Sequence, residues 1–142
     1  MPALFTEQIL VDLQTGVSIE NITGSIRDIA RRSGIVAGNV HICGIGSTGS
    51  VTTIEFEPGA IEDLRRAINR IAPPDIDYEH EKAWQDGNGH SHVQAAIIGP
   101  SVTLPVKNGD IVSGTWQQVV VINHDNRPRR RLVEICVSGE KG

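Results

Sequence analysis

The chain is short of basic residues, has two cysteines and lacks any long apolar run, and each shortage narrows its function. Thirteen Lys and Arg stand against 17 Asp and Glu, giving a net charge of −4 with neutral histidine. A generic nucleic-acid binder carries a basic field, so that class is set aside. No apolar stretch reaches the roughly 18–20 residues needed to cross a bilayer. The opening MPALFTEQILVDLQTG lacks the basic start and long apolar segment of a secretory signal. The expectation is a cytoplasmic chain with no nucleic-acid and no membrane partner. Cys43 and Cys136 form no CxxC pair, which leaves out zinc knuckles and thioredoxin chemistry. Within NVHICGI and RLVEICVSG they read as buried packing residues.

What is present suffices for one folded unit. The 142 residues match a single domain, residues 1–142, large enough for a core of its own. A content of 39% hydrophobic and 21% charged residues excludes a disordered chain. Neither an internal repeat nor a linker is visible.

Hydrophobic spacing divides the chain further. Ile9, Val11 and Leu13 alternate within Leu4 to Leu13, the pattern of a half-buried strand. Ile22, Ile26, Ile29 and Ala30 then share one helical face, with Asn21 as N-cap and Gly34 as stop. Val40 to Ile45 and Val51 to Phe56 read as two strands joined by the small-residue stretch GIGSTGS. Pro58 opens a second helix carrying Ile61, Leu64, Ile68 and Ile71, and Pro73-Pro74 ends it. Residues 75–92, DIDYEHEKAWQDGNGHSH, show no apolar period and read as a long functional loop. Val93 to Ile98, Val102 to Val106, Val112 to Val121 and Leu132 to Val137 follow as strands between turn signals. Two helices and six or seven strands predict an α+β domain with a largely antiparallel sheet or sandwich.

Histidine is the informative residue type. Of five, His80, His90 and His92 fall within thirteen residues, among Asp77, Glu79, Glu81, Asp86 and Asn88. Imidazole and carboxylate together suit a divalent metal such as Mg²⁺ or Zn²⁺. In an extended segment His90 and His92 would face one side, and Gly87 and Gly89 let the loop fold back to His80. GIGSTGS could offer N–H groups and hydroxyls to phosphate, although it is no P-loop, since no lysine follows its last glycine. Arg127, Arg129, Arg130 and Arg131 form a local basic cluster able to grip phosphate or to guard a strand edge. In Gly114-Thr115-Trp116-Gln117 the tryptophan reads as core, with Thr115 and Gln117 on the opposite face able to bind a ligand.

Those residues resemble a known family. Tyr78-Glu79-His80-Glu81, Asp86-Gly87-Asn88-Gly89-His90-Ser91-His92, Ile98-Gly99-Pro100-Ser101, Gly109 and Gly114-Thr115-Trp116-Gln117 look like the YjbQ-like family, the secondary thiamine-phosphate synthases. The resemblance runs from about residue 5 to 138. It implies a compact α+β fold, a homotrimer and a transferase. The implied reaction joins a hydroxymethylpyrimidine diphosphate to a thiazole phosphate and releases pyrophosphate.

On that reading His80, His92 and Glu55 are catalytic, and His80, His92, Asp86 and His90 hold a divalent metal ion. Ser47, Thr48, Asn88, Ser91, Thr115, Gln117 and Arg130 bind the phosphorylated small-molecule substrate. One departure stands out. Where relatives carry a His-Thr-Ser/Thr-Ala stretch and an Asn-Glu pair, this chain has Gly46-Ser47-Thr48-Gly49-Ser50 and Ile54-Glu55. A histidine and an asparagine are missing, and His90 is the replacement this sequence offers. The alternatives are a metal-dependent phosphate-ester hydrolase and a non-catalytic metal- or phosphate-binding module.

Overall fold

The computed structural model describes residues 2–142. Their order is β1 (Pro2–Leu13), β2 (Ser18–Asn21), α1 (Thr23–Arg32), β3 (Ile35–Ile45), β4 (Gly49–Glu55), α2 (Pro58–Ile71), α3 (Glu79–Trp84), α4 (Gly89–Ile98), β5 (Ser101–Lys107), β6 (Asp110–Ile111), β7 (Gln117–Asn123) and β8 (Arg129–Lys141). The expected α+β class and antiparallel pairing are present. One sheet runs β1-β8-β3-β5-β6 and a second runs β2-β7-β4.

Burial explains the layering. Val119 and Val121 of β7 join Ile26, Ile29, Val40, Ile42, Val133 and Ile135 in a core between the two sheets. Val120 and Ile122, on the other face of β7, pack with Ile68 of α2, with Ile98 of α4 packed against them. The three-stranded sheet is thus the middle layer, covered on both sides, and its central strand reads as an unbroken apolar run for that reason. The five-stranded sheet covers one face, and α2 with α4 cover the other.

Local chemistry sets the ends of the elements. The N-cap of α1 is Ile22 and not the expected Asn21, and no side chain caps it; Asn21 Oδ1 accepts from the Thr23 N–H at 3.0 Å just outside the helix. Glu57 accepts from Gly59 and Ala60 N–H, both at 2.8 Å, just before Pro58. In the closing turn of α1, Arg32 meets Glu7 and Asp28, and Arg31 meets Asp110.

Several sequence expectations are corrected. The described residues form four helices and not two, because the segment expected as a loop folds into α3 and the start of α4. Val93 to Ile98 is the continuation of α4 and not a strand. The strand expected from Val112 begins only at Gln117, behind the short β6. β3 and β4 do not pair; GIGSTGS carries the chain from the outer sheet to the middle one. Cys43 and Cys136 are half-buried and not core, and Trp116 is 73% exposed.

Candidate functional site

The β3–β4 turn and the first turn of α4 come together at one end of the middle sheet. Between them lies a cleft of about 310 Å³, lined by Gly46, Ser47, Gly49, His92, Ala95, Ala96 and Pro100. That volume is at the small end of the usual range for ligand sites, roughly 300–1,000 Å³.

A polar hub holds the two walls together. Asp125, just after β7, is fully buried. Its carboxylate accepts from Thr48 Oγ1 at 2.9 Å, Asn88 Nδ2 at 3.1 Å and Arg129 Nε at 3.0 Å. Burial opposes the charge on Asp125, but Arg129, Thr48 and Asn88 outweigh it and hold the carboxyl below its ordinary range. Asn88 Oδ1 also accepts from Asn126 N–H at 3.0 Å and lies 2.8 Å from Ser91 Oγ. One buried carboxylate thereby ties the turn, the start of α4 and the β7–β8 loop together.

The His80 region lies at the rim. Glu81 accepts from Gly87 N–H at 2.7 Å and Gly89 N–H at 2.9 Å, which folds the 85–88 turn back over α3. Those two N–H groups hold its carboxyl below the ordinary value, against the effect of burial. His80 Nδ1 lies 3.4 Å from Asp86 Oδ1 and 3.5 Å from Glu81 Oε1, yet it is buried and makes no hydrogen bond. His80, Glu81 and Asp86 each offer a ligand atom, all within 4.8 Å of one another.

The ring of His92 stands 4.6 Å from that of His80, centre to centre. His92 Nδ1 is 3.2 Å from the Ser47 carbonyl, and a carbonyl can only accept. Nδ1 therefore carries the proton and Nε2 keeps its lone pair, the tautomer of a metal-ligating histidine braced from behind. Ligands about 2.1 Å from a tetrahedral ion stand about 3.4 Å from each other, close to the separations around His80 Nδ1. The clustered donor set, one imidazole and two carboxylates, is of a kind that fits a divalent ion, with His92 beside it.

His90 does not join them. In a helix, residues two apart point in widely different directions. His90 turns inward, 9% exposed, with its ring 6.4 Å from that of Tyr78 and Nε2 3.3 Å from Ser91 Oγ. Burial pushes its pKa down, against the pull of Glu81 and Asp125. Glu81, which the sequence reading left out of the metal set, takes the place expected of His90.

The other expected residues separate into two groups. Ser47 lines the cleft, whereas Thr48, Asn88 and Ser91 are buried and do not line it, the hydroxyl of Thr48 and the amide of Asn88 being engaged inside the hub. Glu55 and Gln117 pair at the far end of the β4–β7 ladder, whose near end is Gly49 opposite Asn123. Six residues of strand place them about 20 Å away. There Gln117 Nε2 donates to Thr53 Oγ1 at 3.0 Å, and Thr115 is exposed next to Trp116. Glu55 and Trp116 line a separate cleft of about 340 Å³ with Asn21, Phe56, Glu57, Pro58 and Gln118. Arg130 points away from both clefts and pairs with Asp12 at 2.9 Å.

At the near site His124 and Asp125 were given no role by the sequence reading, and Arg131 was named only as one of the four-arginine cluster. For Arg131 a signal existed. It has the same parity as Val133, Ile135 and Val137, which all face the core, whereas Arg130 shares the parity of the outer face.

The family model for UPF0047 protein YjbQ-like matches residues 7–140. A UPF0047 protein of Methanothermobacter thermautotrophicus is 28% identical over 137 residues, 96% of this chain and 94% of that protein. One from Mycobacterium tuberculosis is 41% identical over 95 residues, 66% of this chain and 70% of that protein. A YbjQ-like protein of Sulfolobus solfataricus superposes with a TM-score of 0.94 at 27% identity, covering 99% of this chain and all (100%) of that one. A hypothetical protein of Aeropyrum pernix gives 0.89 at 28% identity, over 96% of this chain and 99% of that one.

Proposed function

The chain belongs to the UPF0047 YjbQ-like family, and we propose that its cleft serves a thiamine-phosphate-synthase-like transferase. The observation carrying this reading is the buried His80 Nδ1, which makes no hydrogen bond and lies within 3.5 Å of Asp86 and Glu81, with the ring of His92 4.6 Å from that of His80. Those four residues would hold a divalent ion at the mouth of a cleft sized for a small phosphorylated molecule. When bound, the ion supplies charge that stabilises a departing diphosphate.

The reaction breaks the bond between the pyrimidine methylene and its diphosphate oxygen, and pyrophosphate leaves with the electron pair. The thiazole nitrogen supplies the lone pair for the new C–N bond. In this chain Ser47 and its neighbours in the turn seat a phosphate, and Asn88 and Ser91 fix the start of α4. The apolar cleft wall of Ala95 and Ala96 limits water around the reacting carbon.

Glu55, Thr115 and Gln117 reach the same substrate only if a second copy brings them. A homotrimer that sets the Trp116 end of one chain against the His80–His92 end of another would do this. The exposure of Trp116 and Phe56, 73% and 43%, supports such an interface. No helix among the described residues is long and apolar enough to cross a membrane, and a phosphorylated substrate suits a cytoplasmic setting.

The test is product identity. Purified protein is given both precursors with Mg²⁺ or Zn²⁺, and again after chelation. Thiamine phosphate and pyrophosphate formed only with both precursors and the metal are the expected products. Inorganic phosphate released from simple esters would replace this reading with a hydrolase. Binding without turnover of either kind would leave a binding module.

A further inference from the structure

Arg131 is the least expected charge in the molecule. It is 8% exposed, so more than nine-tenths of it is out of solvent. Its Nη2 donates to Thr48 Oγ1 and Asn123 Oδ1, both at 2.6 Å. Both acceptors are neutral. Among the described residues no carboxylate pairs with it, since the nearby Asp125 is in an ion pair with Arg129. Nε is buried with no hydrogen-bond partner. A buried guanidinium left in this state is costly, and natural folds normally pair such a charge.

Two glycines let the turn pack closely over this charge. A Cβ on Gly46 would stand 2.8 Å from Arg131 Nη1, and one on Gly49 would stand 3.1 Å from Nε. The guanidinium lies directly beneath the turn whose upper side lines the cleft. Along that turn the N–H groups of Gly46, Ser47 and Thr48 donate to no acceptor among the described residues. Consecutive free N–H groups in a bent backbone form an anion-binding concavity.

We propose that Gly46–Gly49 and Arg131 together form an oxyanion site that takes a phosphate group of a ligand seated in the cleft. The inference rests on reading the cleft as a site for phosphorylated molecules, but needs neither the metal nor turnover. A tetrahedral phosphate has enough oxygens to meet the turn N–H groups and the planar guanidinium together, whereas a carboxylate has two. The phosphate-binding role expected of Arg130 passes to its neighbour.

The experiment uses the full chain, metal-free, with inorganic phosphate as probe and acetate as the carboxylate arm, read by calorimetry and by ³¹P line broadening. Arg131→Lys keeps the charge and loses the fork. Gly49→Ala keeps the arginine and pushes a methyl against Nε. Arg130→Ala is the control. Loss of a charged hydrogen bond predicts phosphate binding about tenfold or more weaker in Arg131→Lys and in Gly49→Ala. The control should match wild type.

Equal phosphate affinity in wild type, Arg131→Lys and Gly49→Ala would overturn the proposal. So would a wild-type protein that binds no phosphate at millimolar concentration, or one that binds acetate as tightly. If Arg131→Lys does not fold, Gly49→Ala alone decides. Turnover that fails while phosphate binding depends on Arg131 would reject the transferase and leave the oxyanion site standing.

Discussion

Ser50 Oγ lies 2.8 Å from Nε2 of His124, a contact in which the hydroxyl can donate or accept, so the proton's place is fixed from the other side of the ring. The opposite nitrogen, Nδ1, meets Gln94 Oε1 at 2.9 Å. Gln94 spends its Nε2 on Asn69 Oδ1 and the Ala72 carbonyl, so its oxygen must be the atom facing the ring. Nδ1–H therefore donates to Gln94 and Ser50 donates to Nε2. The ring is neutral, fully satisfied and links α4 to β4 through the end of β7.

A pH dependence follows. Burial pushes His124 down to about 4 from 6.5, helped by the charge of Arg131 and by His90. Between those values the unfolded chain binds a proton that the folded chain refuses, so stability falls as pH falls. The contribution is fully present above pH 6.5 and is lost progressively toward pH 4, about 3 kcal/mol in all at roughly 1.4 kcal/mol per pH unit. His90 acts in the same direction, since burial lowers it too. Urea unfolding at pH 7, 6, 5 and 4.5 should show this slope in wild type and a shallower one in His124→Gln. An unchanged slope in the variant would assign the acid sensitivity to other groups.

Much of the fold was legible because apolar spacing reports burial directly. The clear case is α1, where Ile22, Ile26, Ile29 and Ala30, read as one apolar face, are all buried. Helix α4 was not legible, for a physical reason. Its buried positions are Gly89, His90, Ser91, Gln94 and Ala95, a helical spacing with few large apolar groups, while Val93 and Ile97 face outward. Hydropathy sees β-branched residues there and reads a strand; burial alone reveals the helix. The site was legible in part for the same reason. The histidines announce themselves by type, but the hub at Asp125 and the charge at Arg131 depend on long-range pairings that spacing does not contain.

The metal reading makes a direct prediction. Elemental analysis of purified protein should find near-stoichiometric divalent metal, lost in His80→Ala and strongly reduced in His92→Ala and Asp86→Asn. His90→Ala should keep its metal, since that ring faces Tyr78 and Ser91 and not the carboxylates. Metal lost equally from His90→Ala would reverse the assignment made from the helical geometry of α4.

Asn88 tests the hub. It is 6% exposed and joins Asp125, Asn126 and Ser91 through one amide. Asn88→Ala leaves those buried groups without partners and should cost about 2–3 kcal/mol in chemical denaturation. Asn88→Asp sets a second carboxylate against Asp125 Oδ1, 3.1 Å from the present amide nitrogen. Its penalty should exceed that of alanine at pH 7 and shrink toward pH 5, as one proton comes to be shared between the two acids. A penalty independent of pH would mean that the loop had moved and the pair never formed.

Gly89 is the point where the rim is tuned to the hub. A Cβ there would overlap the Tyr78 side chain, whose hydroxyl donates to the Pro73 carbonyl at 2.7 Å. The same residue gives its N–H to Glu81, so Gly89→Ala must move either α3 or the first turn of α4. Helix α3 has no buried residue and is the element free to yield. Overpacking of this kind costs about 1–3 kcal/mol, but the damage should be local. Amide exchange should quicken at Gly87 and Gly89, whose N–H groups Glu81 holds, while β7 and β8 stay protected. Bound metal should fall with it, because Glu81 and His80 are carried on the displaced turn. Retained metal with unchanged exchange at Gly87 would show that Tyr78 swings aside and that the rim does not depend on a glycine here.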